Sequence, residues 1–307
     1  MRRSRLLLVV IVLIVAAVLF VNDLTRLPPG FNSDEIASIN VAETVRTGKI
    51  ATFYNVDNRG YEGLYPVLEA ATTSLIGDGL LCYRLLSAGC GLIGVALAFA
   101  LIRRLFGSFA GIAGALTLAL SLWPVILARS AIREAVLLPL VFGLLLVIAR
   151  AVHLRWTLEP HPPATVPYAW IGVLIVLCIY THWTGLVTPL LAFAFLVYLV
   201  ATRQPVSRRV ISSAAFTILV AIILGLPYLI FTLRSLRSSG LYTFWMNRPE
   251  SVGGFLGTSI STLVSLVFNG DPSPAHNIPG LGLIGPLGAV LLLVGIVTAA
   301  RAWRSPA

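Results

Sequence analysis

The chain has 307 residues, of which 58% are hydrophobic and 11% charged, and a mean hydropathy of +0.93. Soluble domains carry about 25% charged residues and under half apolar ones, so a water-soluble globular domain is excluded. The formal charge of +10 lies in short pieces between apolar runs of about twenty residues, the pattern of membrane spans, and no nucleic-acid partner is expected.

Read in order, candidate spans fall at 6–21, 85–102, 109–126, 134–149, 168–180, 185–201, 210–231 and 281–300. This predicts an all-α, polytopic transmembrane bundle of about eight helices, a single module over 1–307. With the N-terminus inside, the inside segments hold twelve arginines against one acid, Glu159, while the outside segments are close to neutral. The positive-inside rule then predicts both termini in the cytoplasm. Residues 1–21 have the basic start and apolar core of a signal peptide but no small-x-small cleavage site, so an uncleaved first helix is preferred. Cys82, Cys90 and Cys178 show no disulfide or metal spacing. No Ser/His/Asp order, Gly-rich phosphate loop or zinc motif is present.

The first outside loop covers 22–84, and its stretch 31–66 carries Asp34, Glu35, Glu43, Asp57 and Glu62, five of the chain's twelve carboxylates. Pro28-Pro29-Gly30 breaks the chain, and Asn32 or Ser33 can cap a helix that begins at Asp34. Ile36, Ile39, Val41 and Val45 give that helix an apolar face, and Gly48 closes it. A second amphipathic helix is predicted from Tyr65 to Leu75, ending at Gly77; both suit the membrane surface. Asp34 and Glu35 on the first turn would complement the helix dipole. That explains an acid there, but not a carboxylate pair in a loop too long to be a mere connector. Hard divalent cations favour carboxylates, so a metal at Asp34 and Glu35 is an open alternative. Glu62 either lines a site or pairs with Arg59 or Arg84.

The third span ends in SLWPVILARSAIREAVLLPL, where Trp123 suits the interface belt and Pro124 interrupts the helix. Arg129 and Arg133 follow at i, i+4 and would share one face of a helix. There they either snorkel to headgroups, with Arg133 pairing to Glu134, or clamp a phosphate together. Residues 151–167 read as a Pro-rich linker, and the fifth span ends in CIYTHWTG with Tyr180, His182 and Trp183 as an aromatic interface cluster. A second outside segment, 232–280, brings Arg248 and then FNGDPSPAHNIPG, whose His276 either caps a turn or meets substrate. Within it, 251–268 is apolar enough for a ninth span, but its Ser, Thr and Gly content favours an interfacial helix.

In this order, the outside DE, GYEGLYPVLEAATTSLIG, YRLLSAGCG, LWPVILARSAIREAVLLPL, YTHWTGLVTPL and GDPSPAHNIPG resemble the polytopic glycosyltransferases of the GT-C type. The resemblance is strongest to bacterial relatives of protein O-mannosyltransferases and aminoarabinose transferases, glycosyltransferase family 39. It runs from about residue 5 to the last residue. It implies a multi-pass cell-membrane enzyme that takes a sugar from a polyprenyl-phosphate donor on the extracytoplasmic face and passes it to a protein, lipid or glycan acceptor. The acid regarded as the catalytic base in this family corresponds to Asp34, with Glu35 beside it. Glu62 occupies the acidic position of the second motif, and the stretch around Arg129 and Arg133 resembles the outer end of the third span. Relatives are usually longer, so this chain is expected to lack much of their C-terminal part.

Such a transfer needs a base for the acceptor hydroxyl and cations for the departing phosphate. Asp34 is assigned the first role, with Glu35 orienting the acceptor or tuning Asp34. Arg129 and Arg133 are the first phosphate candidates, Arg248 and His276 the next, with Glu62 and His182 as further substrate-binding candidates. A transporter or lipid flippase, which places ionisable groups near the bilayer midplane or on broken helices in repeated halves, is the rival class. An inactive GT-C scaffold is the third reading.

Overall fold

A computed structural model describes residues 3–56, 59–151, 168–201, 208–234, 246, 248–270, 278 and 280–301. The predicted linker after Ala151, and His276, lie outside the described residues. The described chain is built almost wholly of helices: α1 (Arg3–Val21), α2 (Ser33–Arg46), α3 (Leu64–Ile76), α4 (Leu80–Leu120), α5 (Leu122–Arg129), α6 (Glu134–Ala151), α7 (Ala169–Thr181), α8 (Val187–Ala201), α9 (Arg208–Arg234), α10 (Val252–Val264) and α11 (Gly285–Arg301). Four helical stretches among the described residues are long and apolar enough to cross a membrane: Leu80–Leu120, Glu134–Ala151, Ala214–Arg234 and Val252–Asn269. Shorter apolar helices accompany them, including α7 and α11, and the protein is an integral membrane protein with a polytopic helical fold.

The long helix α4 is two helices in one. Gly107 takes φ 89° and ψ 171°, a left-handed conformation open to glycine at no steric cost, and the chain turns back there. The break falls between the candidate spans 85–102 and 109–126. The helix then stops at Ser121, three residues before Pro124, and α5 starts at Leu122 in a new direction.

Lipid tails are as apolar as leucine, so helices in a membrane associate through close packing more than through removal from water. The main core follows this rule. Val12, Ala16 and Phe20 of α1 meet Ala88, Val95, Ala115 and Ala119 of α4 and Ala128 of α5, with Leu24 just past α1. Gly91 sits at the crossing, where an added Cβ would come within 2.7 Å of the Ala128 methyl and 3.1 Å of the Phe20 ring. Only a residue without a side chain admits this approach.

The first loop folds as predicted in its helices and departs in between. Asn32 caps α2, and Gly77 ends α3. Between them Phe53–Val56 (β1) and Arg59–Glu62 (β2) form an antiparallel hairpin in which Phe53 faces Glu62 and Tyr54 faces Tyr61. The sequence reading assigned no strand here. Phe53 stacks on Phe231 of α9 at 4.3 Å and leans on Tyr228 at 4.8 Å, so the hairpin docks against a membrane helix.

Residues 251–268, expected as an interfacial helix, form α10 and continue through a π-helical turn, Ser265–Asn269, as one apolar rod. Neither α10 nor α11 has a buried residue. Eighteen residues of helix are about 27 Å long, close to the thickness of a bilayer core.

Arg84, on the second turn of α4, has no exposed surface and donates all five of its N–H groups. Nε and Nη2 reach the two oxygens of Glu35 at 2.9 and 3.1 Å, Nη1 reaches the carbonyls of Leu24 and Pro28 at 3.2 and 2.8 Å, and Nη2 also reaches Gly30. Removing one partner of a buried ion pair costs about 3–5 kcal/mol. Arg84→Met is therefore expected to lower the thermal midpoint of the detergent-purified protein sharply, and Arg84→Lys to recover little of it, since an ammonium has three donors and no fork. A lysine variant that melts with the parent would refute this role.

Candidate functional site

The sequence places Asp34 and Glu35 side by side, and the fold separates their roles. Asn32 Oδ1 accepts from the backbone N–H groups of Asp34 and Glu35 at 3.0 and 2.8 Å, while Glu35 Oε2 accepts from Asn32 N at 3.0 Å, a reciprocal capping box. The turn so fixed sends Glu35 inward, where its side chain is 1% exposed, and leaves Asp34 on the exposed side. Glu35 Oε1 also accepts from the backbone N–H of Ala131 at 2.8 Å. Both oxygens of Glu35 are thus engaged within the fold.

Arg129 and Arg133 do not share a helical face. Ser130 takes an extended conformation, φ −117° and ψ 140°, and ends α5, so Arg129 closes one helix and Arg133 precedes the next. Arg129 donates to the carbonyls of Leu19 at 2.6 Å and Leu27 at 3.0 Å, and so pins the end of α1 and the loop after it. Arg133 turns the other way, onto the hairpin. It donates to Glu62 and lies over the Tyr61 ring at 4.1 Å. Glu62 therefore pairs with Arg133, whereas Arg84 belongs to Glu35 and the Arg59 side chain lies outside the described residues.

The short α5–α6 connection is where these groups meet. Ala131 holds Glu35, Arg133 holds Glu62, and Glu134 lies 3.2 Å from His182 Nε2 at the break between α7 and a 3₁₀ turn, Trp183–Leu186. Burial and the nearby Arg133 push His182 down to about 3, so the imidazole is neutral. It donates from Nε2 to Glu134, and Nδ1 accepts from Thr184. Burial pushes Glu62 up to about 7 even though the guanidinium of Arg133 pulls it down, so this carboxyl changes charge in the physiological range.

Glu69 escaped the sequence reading. It is fully buried in α3, accepts from Ser38 of α2 at 2.9 Å through Oε2, and has no partner for Oε1. Burial raises it to about 8, with the Ser38 hydrogen bond opposing, so it is neutral at pH 7 and ties the two surface helices together as an uncharged acid. Its place four residues after Tyr65, one turn along the same helical face, is a sequence sign of an inward-facing acid. Arg248 is exposed just ahead of α10. Among the described residues no three His, Cys, Asp or Glu side chains are grouped to hold a metal ion, and with Glu35 committed to Arg84 the pair Asp34–Glu35 does not fit one.

The same arrangement of helices occurs in known proteins. ArnT from Cupriavidus metallidurans, solved bound to undecaprenyl phosphate, matches with a TM-score of 0.58 and 20% identity over 85% of this chain and 50% of that one. The Archaeoglobus fulgidus oligosaccharyltransferase AglB, in complex with an inhibitory peptide and a dolichol-phosphate, matches with a TM-score of 0.54 and 15% identity over 98% of this chain and 37% of that one. A second form of the A. fulgidus enzyme, tethered to an acceptor peptide, gives a TM-score of 0.61 and 13% identity, covering 99% and 44%. The chain spans half or less of the length of these structures, which share with it a polytopic GT-C fold. Comparison with curated protein sequences finds no match. The family described as dolichyl-phosphate-mannose-protein mannosyltransferase matches residues 64–231, a stretch that includes Arg84, Arg133, Glu134 and His182 and begins after Asp34 and Glu62. That match takes in more than half of the sequence, and the chain belongs to the dolichyl-phosphate-mannose-protein mannosyltransferase family.

Proposed function

We propose that the protein transfers a sugar from a polyprenyl-phosphate carrier to a hydroxyl of a protein, lipid or glycan acceptor, at the extracytoplasmic face of the membrane, with Asp34 as the base. The N-terminus and, with α10 interfacial, the C-terminus are then cytoplasmic. The observation that carries this reading is the exposed Asp34 on a helix turn immobilised by the buried Arg84–Glu35 pair, next to the connection that bears Arg133. The family membership and the lipid phosphates named for ArnT and AglB support a donor of this kind. A transporter fits less well, because the buried ionisable groups Glu35, Glu62, Glu69 and Arg84 sit in surface elements or at a helix end.

In this reaction the acceptor oxygen attacks the anomeric carbon as its proton passes to the Asp34 carboxylate. The bond from that carbon to the phosphate oxygen breaks, and the electron pair leaves with the lipid phosphate, which gains a negative charge. A single displacement of this sort inverts the anomeric centre. In this scheme Arg133, 17% exposed, receives the growing charge. Arg129 supports the site by holding the carbonyls of Leu19 and Leu27. Glu35 is a positioning residue for the turn that carries Asp34. Arg248 and His276 remain proposed contacts for the donor from the second outside segment.

Two measurements test the scheme. Asp34→Asn should lower transfer from a polyprenyl-phosphate sugar by at least about 100-fold, the usual scale of a lost general base. Membrane insertion and melting should stay those of the parent, because Asp34 is exposed; transfer at the parent rate would refute the base. The second concerns pH. Glu62 is neutral below about 7 and ionised above it, and only the ionised form competes strongly with a donor phosphate for Arg133. The donor is a phosphodiester and does not titrate in this range. Apparent donor affinity should therefore weaken as pH rises from 6 to 8, and Glu62→Gln should flatten that slope. An unchanged slope in the variant would remove Glu62 from donor recognition.

A further inference from the structure

At the other end of the bundle lies a cavity of about 1000 Å³ that the proposed reaction does not use. Arg5 from the first turns of α1, Arg103 and Arg104 from the end of the first half of α4, and Arg150 from the last turn of α6 all line it, with Phe99 and Phe109. No carboxylate is among its lining residues. Arginines at cytoplasmic helix ends are expected from topology and from helix dipoles alone. Those rules account for each arginine singly, but not for four from three helices around one open volume.

The four have different tasks. Arg104 Nε donates to the Ala149 carbonyl at 3.4 Å and so braces α4 against α6. The Arg103 guanidinium lies 5.9 Å from the centre of the Phe99 ring, which holds it along the cavity wall. Arg5 and Arg150 are exposed at the rim. Leu8, Phe106 and Phe109 are also exposed, so the cavity offers apolar surface beside its charge. A ligand that satisfies both surfaces carries a phosphate and acyl chains.

We propose that this cavity binds the headgroup of an anionic phospholipid of the inner leaflet, with Arg5, Arg103 and Arg150 on the phosphate and the Phe109 side meeting the first carbons of an acyl chain. Basic pockets between transmembrane helices recognise such headgroups in this way. The site is separate from the acidic end where the sugar transfer is proposed; it rests on the orientation proposed there, but not on the transfer.

The test uses the purified full chain in detergent with equal amounts of phosphatidylglycerol and phosphatidylcholine, and native mass spectrometry counts the lipid retained. Retention of phosphatidylglycerol about tenfold over phosphatidylcholine is expected, because the three arginines meet a net negative charge in the first and a zwitterion in the second. The double variant Arg103→Gln/Arg150→Gln should fall to within about twofold, while Arg301→Gln, a single arginine on α11, should keep the preference. If the double variant does not fold, Arg5→Gln at the exposed rim replaces it and should lose most of the preference. Equal retention of the two lipids by the parent, an unchanged preference in the cavity variants, or an equal loss in Arg301→Gln would overturn the proposal. So would complete displacement of phosphatidylglycerol by millimolar inorganic phosphate, which would make the site one for a free anion.

Discussion

A guanidinium buried inside a protein has only one stable solution, to place every one of its donors. Arg84 does so with a carboxylate and three carbonyls, and in doing so it sets the geometry of the whole acidic end. Leu24, Pro28 and Gly30 belong to the loop after α1, Glu35 to the first turn of α2, and Arg84 itself to α4. Three segments up to 60 residues apart are thus gathered on one side chain. Glu35 extends the gathering to Ala131 through its second bond on Oε1. Desolvation makes such a pair poor as a source of net stability. Its value lies in allowing only one arrangement of the pieces.

Asp34 inherits that rigidity without sharing the burial. The base role proposed for Asp34 would need a fixed position and access to solvent, and neighbouring residues on one helix turn meet both demands by facing opposite ways. Glu35 is balanced by Arg84, and the two other inward-facing carboxyls, Glu62 and Glu69, are kept apart from Asp34 in charge as well as in place. Glu69 is neutral at pH 7 and Glu62 is balanced near it, both because burial outweighs the favourable partners each one has. A site crowded with acids is thereby relieved of most of their mutual repulsion.

The helices were legible because their signals are local. The Asn32 cap, the Glu35 three residues on, and the stops at Gly48, Gly77 and Gly107 act within a turn or two of where they stand. The hairpin was not legible, since Phe53–Val56 and Arg59–Glu62 are four residues each and draw their stability from Phe231 and Tyr228, some 170 residues away. The paired arginines failed for a related reason. A spacing of four implies one face only if the helix runs through, and the extended Ser130 breaks it. Which carboxylate belongs to which arginine is also a long-range matter: Glu35 and Arg84 are 49 residues apart, Glu62 and Arg133 are 71 apart.

The family match begins at Leu64, so the shared stretch is the helical frame, while Asp34 and Glu62 arrive on a loop that precedes it. Two loop acids are nevertheless anchored to the frame by an arginine of the frame, Glu35 by Arg84 and Glu62 by Arg133. The two links differ in strength of commitment. Arg84 has no exposed surface and no donor left over, whereas Arg133 is partly exposed and faces a carboxyl that loses its charge near pH 7. One arginine is therefore fixed in its partnership and the other is able to exchange it. In the proposed transfer an incoming phosphate would compete for Arg133 without disturbing the turn that holds Asp34, so that one small loop would be both rigid at its base and responsive at its binding edge.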